Sequence, residues 1–216
     1  MPDPTQLALF LAAATLLAIT PGPGVLYVAA RTLAGGRAEG VASSFGTGLG
    51  GLFHVVGGAL GVSALVMASA ELFIAIKWLG AVYLVWLGLR TIRNARRDGG
   101  LEAPDPGSAA AVGAARAFRE GMWVEALNPK TAAFFLAFIP QFVSPASGSV
   151  TLQFMVLGLV SVAMNTAVDV AVAFAAGKVR ENAAHYPKRV QSIREASGWA
   201  LLALGVGLLF TRRSDN

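Results

Sequence analysis

The 216-residue sequence contains no cysteine and few charged residues. Without thiols the chain can form neither a disulfide nor a thiolate metal site, and thiol redox chemistry is excluded. Charged residues make up 13% of the sequence, whereas an ordinary soluble domain carries about 25%. Hydrophobic residues make up 55%, and the mean hydropathy is positive. A surface with so little charge indicates that most of it lies in lipid.

Six apolar segments have the length of a membrane-spanning helix, about 17–25 residues for a hydrocarbon core of roughly 30 Å. They are 6–30, 41–68, 71–89, 119–143, 150–177 and 196–211. The long polar stretch 93–118 contains Gly, Pro and Asp and is predicted to be a flexible cytoplasmic loop. The first segment is not predicted to be a cleaved signal peptide, because the preceding MPDPTQ has an acid and no base. We therefore predict an all-α, polytopic membrane protein with six transmembrane helices in one domain, 1–216.

The basic residues predict the orientation of these segments. Of 17 Lys and Arg residues, 13 fall in loops 1–2, 3–4 and 5–6, which share one face of the membrane. Three fall on the opposite face (Lys77, Arg212 and Arg213), and Lys130 lies inside a segment. Because basic loops stay in the cytoplasm, both termini are predicted on the extracytoplasmic side of the bacterial inner membrane. The basic pI follows from this topology, so no nucleic-acid partner is predicted.

Similar proline motifs occur in segments 1 and 4. AITPGPG (18–24) and ALNPKTA (126–132) each open a set of three segments, about 1–92 and about 119–216. Because three spans end on the opposite side of the membrane from where they began, the second set would enter the membrane in the opposite direction to the first. Inverted repeats with interrupted helices at corresponding positions indicate a transporter's midplane site. We therefore predict two three-helix inverted repeats, with segments 1 and 4 broken at their proline motifs.

The first motif supplies five candidate translocation residues: Thr20, Pro21, Gly22, Pro23 and Gly24. The two prolines lack an N–H and clash with the carbonyls four residues earlier. Carbonyls near Leu17 and Ile19 are thus expected to lack intrahelical partners. In hydrocarbon such groups must face protein or a water-filled cavity. An opened backbone lining a path is favoured over a structural kink packed against a neighbour.

The second motif adds Asn128, Pro129 and Lys130 as candidates, with Glu125 just before them. Pro129 is expected to free the carbonyl near Glu125. A lysine at the bilayer centre costs about 2.5–3.5 kcal/mol and needs an anionic partner or water. The alternatives are that Lys130 snorkels to the membrane surface and that Glu125 is merely solvated.

Segment 5 supplies the predicted partner of this lysine, Asp169, which shares a helix face with the candidate Asn165. A buried Asp169 is a candidate for carrying a coupling proton, and a static ion pair with Lys130 is the alternative. Glu125 and His54 are further proton-coupling candidates, although hydrogen-bonded packing is the favoured role of His54.

Glycines in segment 2 are spaced four apart, at Gly46 and Gly50 and at Gly57 and Gly61. Small residues at this spacing let helices approach closely. We expect these glycines to serve packing, either within the chain or in a homodimer.

TPGPG (20–24), NPKTAAFFLAFIPQFV (128–143) and the upstream FREGMWVEALNPK resemble the LysE/RhtB family of amino-acid exporters. The similarity covers essentially the whole chain. It implies export of an amino acid or a close derivative, driven by the proton gradient. Residue by residue, it draws attention to Thr20–Gly24, Asn128, Pro129, Lys130 and Asp169.

Taken together, the sequence predicts a secondary transporter that exports an amino acid or derivative. In this hypothesis Lys130 attracts the substrate carboxylate, the opened carbonyls accept from its ammonium, and Asp169 couples protons. The alternatives are a small-ion or metal exporter or channel, and an intramembrane serine hydrolase using His54 with Ser43 or Ser44. The hydrolase lacks a G-x-S-x-G elbow. The predicted partners are substrate, protons and lipid, with no cofactor, metal ion or catalytic residue.

Overall fold

A computed structural model describes residues 4–68 and 111–181 of this chain, with separate helical positions between 74 and 93 and between 199 and 206. Within those residues the chain is helical and contains no strand, which confirms the predicted all-α class. The predicted segments 71–89 and 196–211, and the loop as far as residue 110, lie largely outside the described residues.

Six α-helices occur in the described ranges: α1 (Pro4–Ile19), α2 (Pro23–Gly35), α3 (Arg37–Ala68), α4 (Ala114–Ala126), α5 (Pro129–Ala133) and α6 (Val150–Glu181). A π-helical turn (Phe134–Phe138) follows α5, and two 3₁₀ turns (Ile139–Phe142 and Pro145–Ser147) lead towards α6. Both predicted breaks are present, one between α1 and α2 and the other between α4 and α5.

The loop boundary predicted at residue 118 is wrong, because α4 already begins at Ala114. Gly113 has a φ of +83°, a left-handed conformation that glycine adopts readily. Two alanines follow it, and alanine has the highest helix propensity. The helix therefore starts as soon as the glycine has turned the chain.

One described stretch, Val150–Lys178 in α6, is by itself long and apolar enough to cross a bilayer. The pair α1 and α2 meets the same requirement if it is counted as one span bent by 44°. Many large apolar side chains point outward, including Leu9, Leu60 and Leu127, which are 60–76% exposed. In water such a surface would be costly, whereas hydrocarbon accommodates it.

The helices α3 and α4 pack backbone to backbone through two of the predicted packing glycines. A Cβ added at Gly46 would overlap the carbonyl oxygen of Phe118, and one at Gly50 would overlap that of Met122. Neither carbonyl can move without moving α4, so these glycines allow the close approach. The predicted packing role is thus confirmed for Gly46 and Gly50.

The other two glycines of α3 differ from this pair. A Cβ at Gly57 or Gly61 would meet no atom of the described residues within 4 Å. The packing expected of Gly57 and Gly61 therefore has no partner in the described part of the chain. A homodimer through this face stays a prediction.

Polar contacts join α2 and the start of α3 to α4. Tyr27 donates to Glu120 Oε2 at 2.9 Å, and Arg116 Nε donates to the other oxygen at 2.7 Å. The Gly113 N–H donates to Glu39 Oε1 at 2.7 Å. The connection between α2 and α3 therefore lies on the same side of the molecule as the start of α4.

Aromatic residues fill the core on the other side of the second break. Six phenylalanines contact one another here: Phe10, Phe134, Phe135, Phe138, Phe142 and Phe154. Pro140 has no N–H for the carbonyl four residues earlier and its ring crowds that carbonyl. Regular α-helix therefore gives way to the π turn and the 3₁₀ turn around it, a local rearrangement that the sequence analysis missed.

Replacing Gly46 by alanine tests the close packing of α3 on α4. We expect Gly46→Ala to destabilise the protein by about 1–3 kcal/mol, because the added methyl overlaps main chain. The matched control is Gly57→Ala, which adds the same methyl to open space in the same helix. Thermal unfolding in detergent, followed by circular dichroism, compares the two. Equal midpoints would contradict the packing described above.

Candidate functional site

The ammonium group of Lys130 joins the two helix breaks. Its Nζ donates to the carbonyl oxygens of Leu17 at 3.2 Å and Thr20 at 2.9 Å. Lys130 is only 4% exposed, so the alternative of a snorkelling lysine is wrong. Pro21 has no N–H to donate to the Leu17 carbonyl, which accepts instead from Lys130 and, at 3.3 Å, from the Thr20 N–H, so the expectation that it lacks an intrahelical partner is wrong. The second carbonyl belongs to Thr20, the last residue before the break, whereas the prediction had placed it near Ile19.

Asn128 organises the second break as the N-cap of α5. Its Oδ1 accepts from the Lys130 main-chain N–H at 3.0 Å, and its Nδ2 donates to Glu125 Oε2 at 2.9 Å. The Thr131 hydroxyl donates to Glu125 Oε1 at 2.6 Å. Glu125 is 8% exposed, so the expectation that it is merely solvated is wrong. Both of its oxygens accept from neutral donors, as an ionised carboxylate does.

The carbonyl that Pro129 was expected to free is that of Glu125. Its oxygen lies 2.8 Å from His54 Nε2, and the Asn128 N–H also donates to it. A carbonyl oxygen only accepts, so Nε2 carries the proton in this contact. His54 thus ties α3 to the second break through a hydrogen bond, the role favoured from the sequence.

Asp169 is buried on α6 but does not pair with Lys130. Its Oδ2 lies 2.7 Å from Thr47 Oγ1, and no nitrogen–oxygen distance of 4.0 Å or less joins it to the lysine. The predicted direct ion pair is therefore wrong. The physical reason is the direction of Lys130, whose ammonium is held by the carbonyls at the end of α1 rather than turned towards α6.

The Thr47 hydroxyl has one proton and two oxygen neighbours. Its Oγ1 lies 2.8 Å from the Ser44 carbonyl oxygen and 2.7 Å from Asp169 Oδ2. If Asp169 is ionised, both oxygens compete for the single hydroxyl proton. If Asp169 is protonated, it donates to Thr47, which then donates to Ser44, and both contacts are satisfied. The Thr47 hydroxyl can therefore hydrogen-bond Asp169 in either protonation state.

A small cavity, open at its mouth, lies between α2, α3, the second break and α6, and about 20 Å³ of it is accessible to the centre of a water molecule. Its wall includes the buried carboxylates of Glu125 and Asp169 together with Lys130, in a largely apolar setting. Six of the predicted candidates line it: Gly24, Glu125, Asn128, Lys130, Asn165 and Asp169. The half-buried amide of Asn165 is not hydrogen-bonded to another described residue, so it is available to a ligand.

The remaining candidates are not in the cavity wall. They either form the two breaks or hydrogen-bond a residue of a break, and they are Thr20, Pro21, Gly22, Pro23, Pro129 and His54. Gly22 nevertheless contacts the lysine closely, since a Cβ there would lie 2.9 Å from Lys130 Nζ.

The sequence analysis missed Thr47 and Thr131 as site residues. Each is a polar side chain in an apolar stretch that hydrogen-bonds one of the two carboxylates lining the cavity. The available signal for Thr131 was its place in the first turn after Pro129. For Thr47 the signal was its position one turn from Gly50, on a helix already expected to pack closely.

The hydrolase alternative has no support in this geometry. The Ser43 and Ser44 hydroxyls donate to the main-chain carbonyls of Glu39 and Gly40, and His54 contacts Glu125 instead of either serine. Searching the described ranges also gave no group of three or more His, Cys, Asp or Glu residues that could hold a metal ion.

Comparison with known proteins relates the chain to membrane translocators. The profile of the LysE type translocator family matches residues 15–212. An uncharacterized membrane protein of Pseudomonas aeruginosa is 37% identical over 66% of each chain. The homoserine/homoserine lactone efflux protein of Salmonella typhimurium is 29% identical over 95% of this chain and 96% of its own. The leucine efflux protein of Klebsiella pneumoniae is 27% identical over 69% of each chain. No solved structure matches significantly.

Replacing Thr47 by valine tests the contact with Asp169. Valine keeps the shape of threonine but leaves the buried carboxyl without its partner, so we expect Thr47→Val to cost about 1–3 kcal/mol of stability. Thr15→Val is the matched control, because it removes only an exposed bond to the Leu11 carbonyl. Thermal unfolding in detergent measures both variants. A Thr47→Val midpoint equal to that of Thr15→Val would show that the Asp169 contact contributes nothing.

Proposed function

The chain belongs to the LysE type translocator family, and we propose that it exports an amino acid or an amino-acid derivative from the cytoplasm. The export is secondary transport coupled to the proton gradient. The substrate binds in the cavity between the two breaks, and the translocation residues are those predicted from the two proline motifs together with Asn165.

The observation that carries this proposal is the meeting of two broken helices at a charged cavity. Opened backbone and buried charges are tolerated at membrane depth only where they face protein or a water-filled space. Here Lys130, Glu125 and Asp169 all line one small open cavity, which has to widen to admit a substrate. Cation and carboxylates in one cavity match the two charged ends of an amino acid. The named relatives in Salmonella and Klebsiella, which are efflux proteins for homoserine, its lactone and leucine, support this substrate class.

Asp169 is the proposed carrier of the coupling proton. The Thr47 hydroxyl can bond Asp169 whether or not it carries the proton, so the contact survives gain and loss of the proton. Glu125 accepts two hydrogen bonds, from Asn128 and Thr131. With Lys130 positive, one carboxylate negative and Asp169 protonated, the cavity carries no net charge, and release of the Asp169 proton makes it negative. Such a change alters the affinity for a cationic ammonium, which is the coupling that a proton-driven exporter needs.

The membrane arrangement that we propose has six spans in two inverted repeats, about 1–92 and about 119–216, joined by a cytoplasmic loop. The bond between Glu39 and Gly113 supports it, because it brings the first and third predicted loops to one side. Both termini then lie on the extracytoplasmic side of the inner membrane.

Amino-acid efflux from loaded proteoliposomes, with and without a pH gradient, tests the function. We expect wild-type efflux to rise when the gradient is imposed. Asp169→Asn should keep the fold and lose this response, because an amide donates to Thr47 as a protonated acid does but cannot release a proton.

The matched control is Glu120→Gln, the same change of carboxylate to amide outside the cavity wall. It should respond to the gradient as the wild type does. Efflux of Asp169→Asn that still follows the gradient would exclude Asp169 as the proton carrier. Absence of efflux for a range of labelled amino acids from wild-type liposomes would refute the proposed function.

The absence of native cysteines makes the topology directly testable. We expect a membrane-impermeant maleimide to label Ser147→Cys and Ser214→Cys in spheroplasts, and to label Ser108→Cys only after lysis. The reason is that the predicted loop at 93–118 is cytoplasmic, whereas the other two positions lie outside. Labelling of Ser108→Cys in intact spheroplasts would show that the orientation is the reverse of the proposed one. Labelling of only one of Ser147→Cys and Ser214→Cys would contradict an even number of spans between residues 147 and 214.

A further inference from the structure

The lysine and the carbonyls that it contacts are both groups that a zwitterionic amino acid would use. An ammonium ion needs oxygen acceptors, and the Leu17 and Thr20 carbonyls provide two at 3.2 and 2.9 Å. In the observed conformation Lys130 supplies the ammonium itself. The lysine of the second break therefore satisfies the carbonyls of the first break, and these carbonyls are not free for a ligand in this conformation.

We propose that the carbonyl oxygens of Leu17 and Thr20 form an ammonium-binding site, which Lys130 fills in the substrate-free protein and yields to the primary ammonium of the transported compound. The existence of the site stands on this geometry alone. Its use during transport rests on the proposed function.

The observed contacts of Lys130 are of a kind that allows another ammonium group to replace it at the two carbonyls. Its hydrogen bonds go to neutral carbonyls, and among the described residues no carboxylate lies within ion-pair distance. A buried ion pair is strongly destabilised when one partner leaves, because the other charge is left uncompensated. Departure of a cation from two carbonyls leaves no such charge behind. The carbonyls remain as dipoles, which a second ammonium or water can satisfy.

The displaced lysine has a destination in the same cavity. Glu125 and Asp169 line it together with Lys130, and a substrate carboxylate would enter it along with the ammonium. A zwitterion thus supplies one cation for the carbonyls and one anion for the lysine. The zwitterion adds one cation and one anion, so the net charge of the cavity is unchanged and no buried charge is left uncompensated.

Gly22 makes the room that this site requires. Its φ of −125° is accessible to any residue, so backbone conformation does not demand glycine here. A Cβ at this position would instead lie 2.9 Å from both Cε and Nζ of Lys130. The missing side chain therefore leaves space for an ammonium group and its adjoining carbon.

Chemical rescue of Lys130→Ala tests the site without measuring transport. The purified variant is unfolded thermally in detergent with methylammonium chloride or with tetramethylammonium chloride at equal ionic strength. We expect methylammonium to raise the midpoint by about 3–6 °C over the other salt at ten times its dissociation constant. Tetramethylammonium has no N–H to donate, and in the wild type, where Lys130 fills the site, the two salts should give equal midpoints.

A second substitution shows where the amine binds. Adding Gly22→Ala to Lys130→Ala should abolish the difference between the salts, because the new methyl would lie 2.9 Å from the position of the ammonium nitrogen and would crowd an amine there. Adding Gly57→Ala, which meets no described atom, should preserve it. Equal midpoints of Lys130→Ala in both salts would overturn the proposal, as would a difference that survives Gly22→Ala.

Gly22→Ala alone decides the matter if Lys130→Ala does not fold. It keeps the lysine and pushes its ammonium off the carbonyls, so we expect the midpoint to fall by about 2–10 °C and amino-acid efflux to be lost. Gly57→Ala should match the wild type in both measurements. If Gly22→Ala also matches the wild type, the proposal fails. Methylammonium-specific stabilisation of Lys130→Ala without any wild-type efflux would uphold the site and refute only the proposed function.

Discussion

The contact on which the site depends is the hydrogen bonding of the Lys130 ammonium to the carbonyls of Leu17 and Thr20. A buried cation needs acceptors, and a proline-broken helix end needs donors. The first motif supplies carbonyl acceptors for Lys130, and Lys130 supplies the donors that these carbonyls need. Neither break would be stable in hydrocarbon without the other. The two halves of the chain are therefore held together at the depth where each is least regular.

The two carboxylates that line the cavity are held in different ways. Glu125 accepts from the Asn128 side chain and from the Thr131 hydroxyl, so both of its oxygens have a fixed donor. Asp169 faces the hydroxyl of Thr47, which is both a donor and an acceptor and therefore suits either protonation state. This difference is the reason that Asp169, and not Glu125, is the proposed proton carrier.

Local features of the site could be predicted from the sequence, whereas the directions of its side chains could not. Prolines constrain their own helix, so both breaks follow from the chain alone, as does the loss of the hydrogen bond that residue 21 would donate to the Leu17 carbonyl. The burial of Lys130 follows from its depth within an apolar run. Lys130 contacts the end of α1 rather than Asp169 because of the way in which separate helices cross. The spacing of residues along one helix does not determine that crossing. The π turn had a local cause in Pro140, but the amount of backbone adjustment depends on the aromatic packing around it.

The absence of a Lys130–Asp169 ion pair is itself informative about function. A desolvated ion pair can be very strong, and breaking it leaves an isolated charge in a low-dielectric setting. A static scaffold tolerates such a pair, but a carrier must change partners in every cycle. Carbonyl dipoles hold the lysine firmly enough to define one conformation, and they leave Asp169 free to exchange its proton. A site made of neutral acceptors around one cation is therefore better suited to repeated exchange than the salt bridge that the sequence suggested.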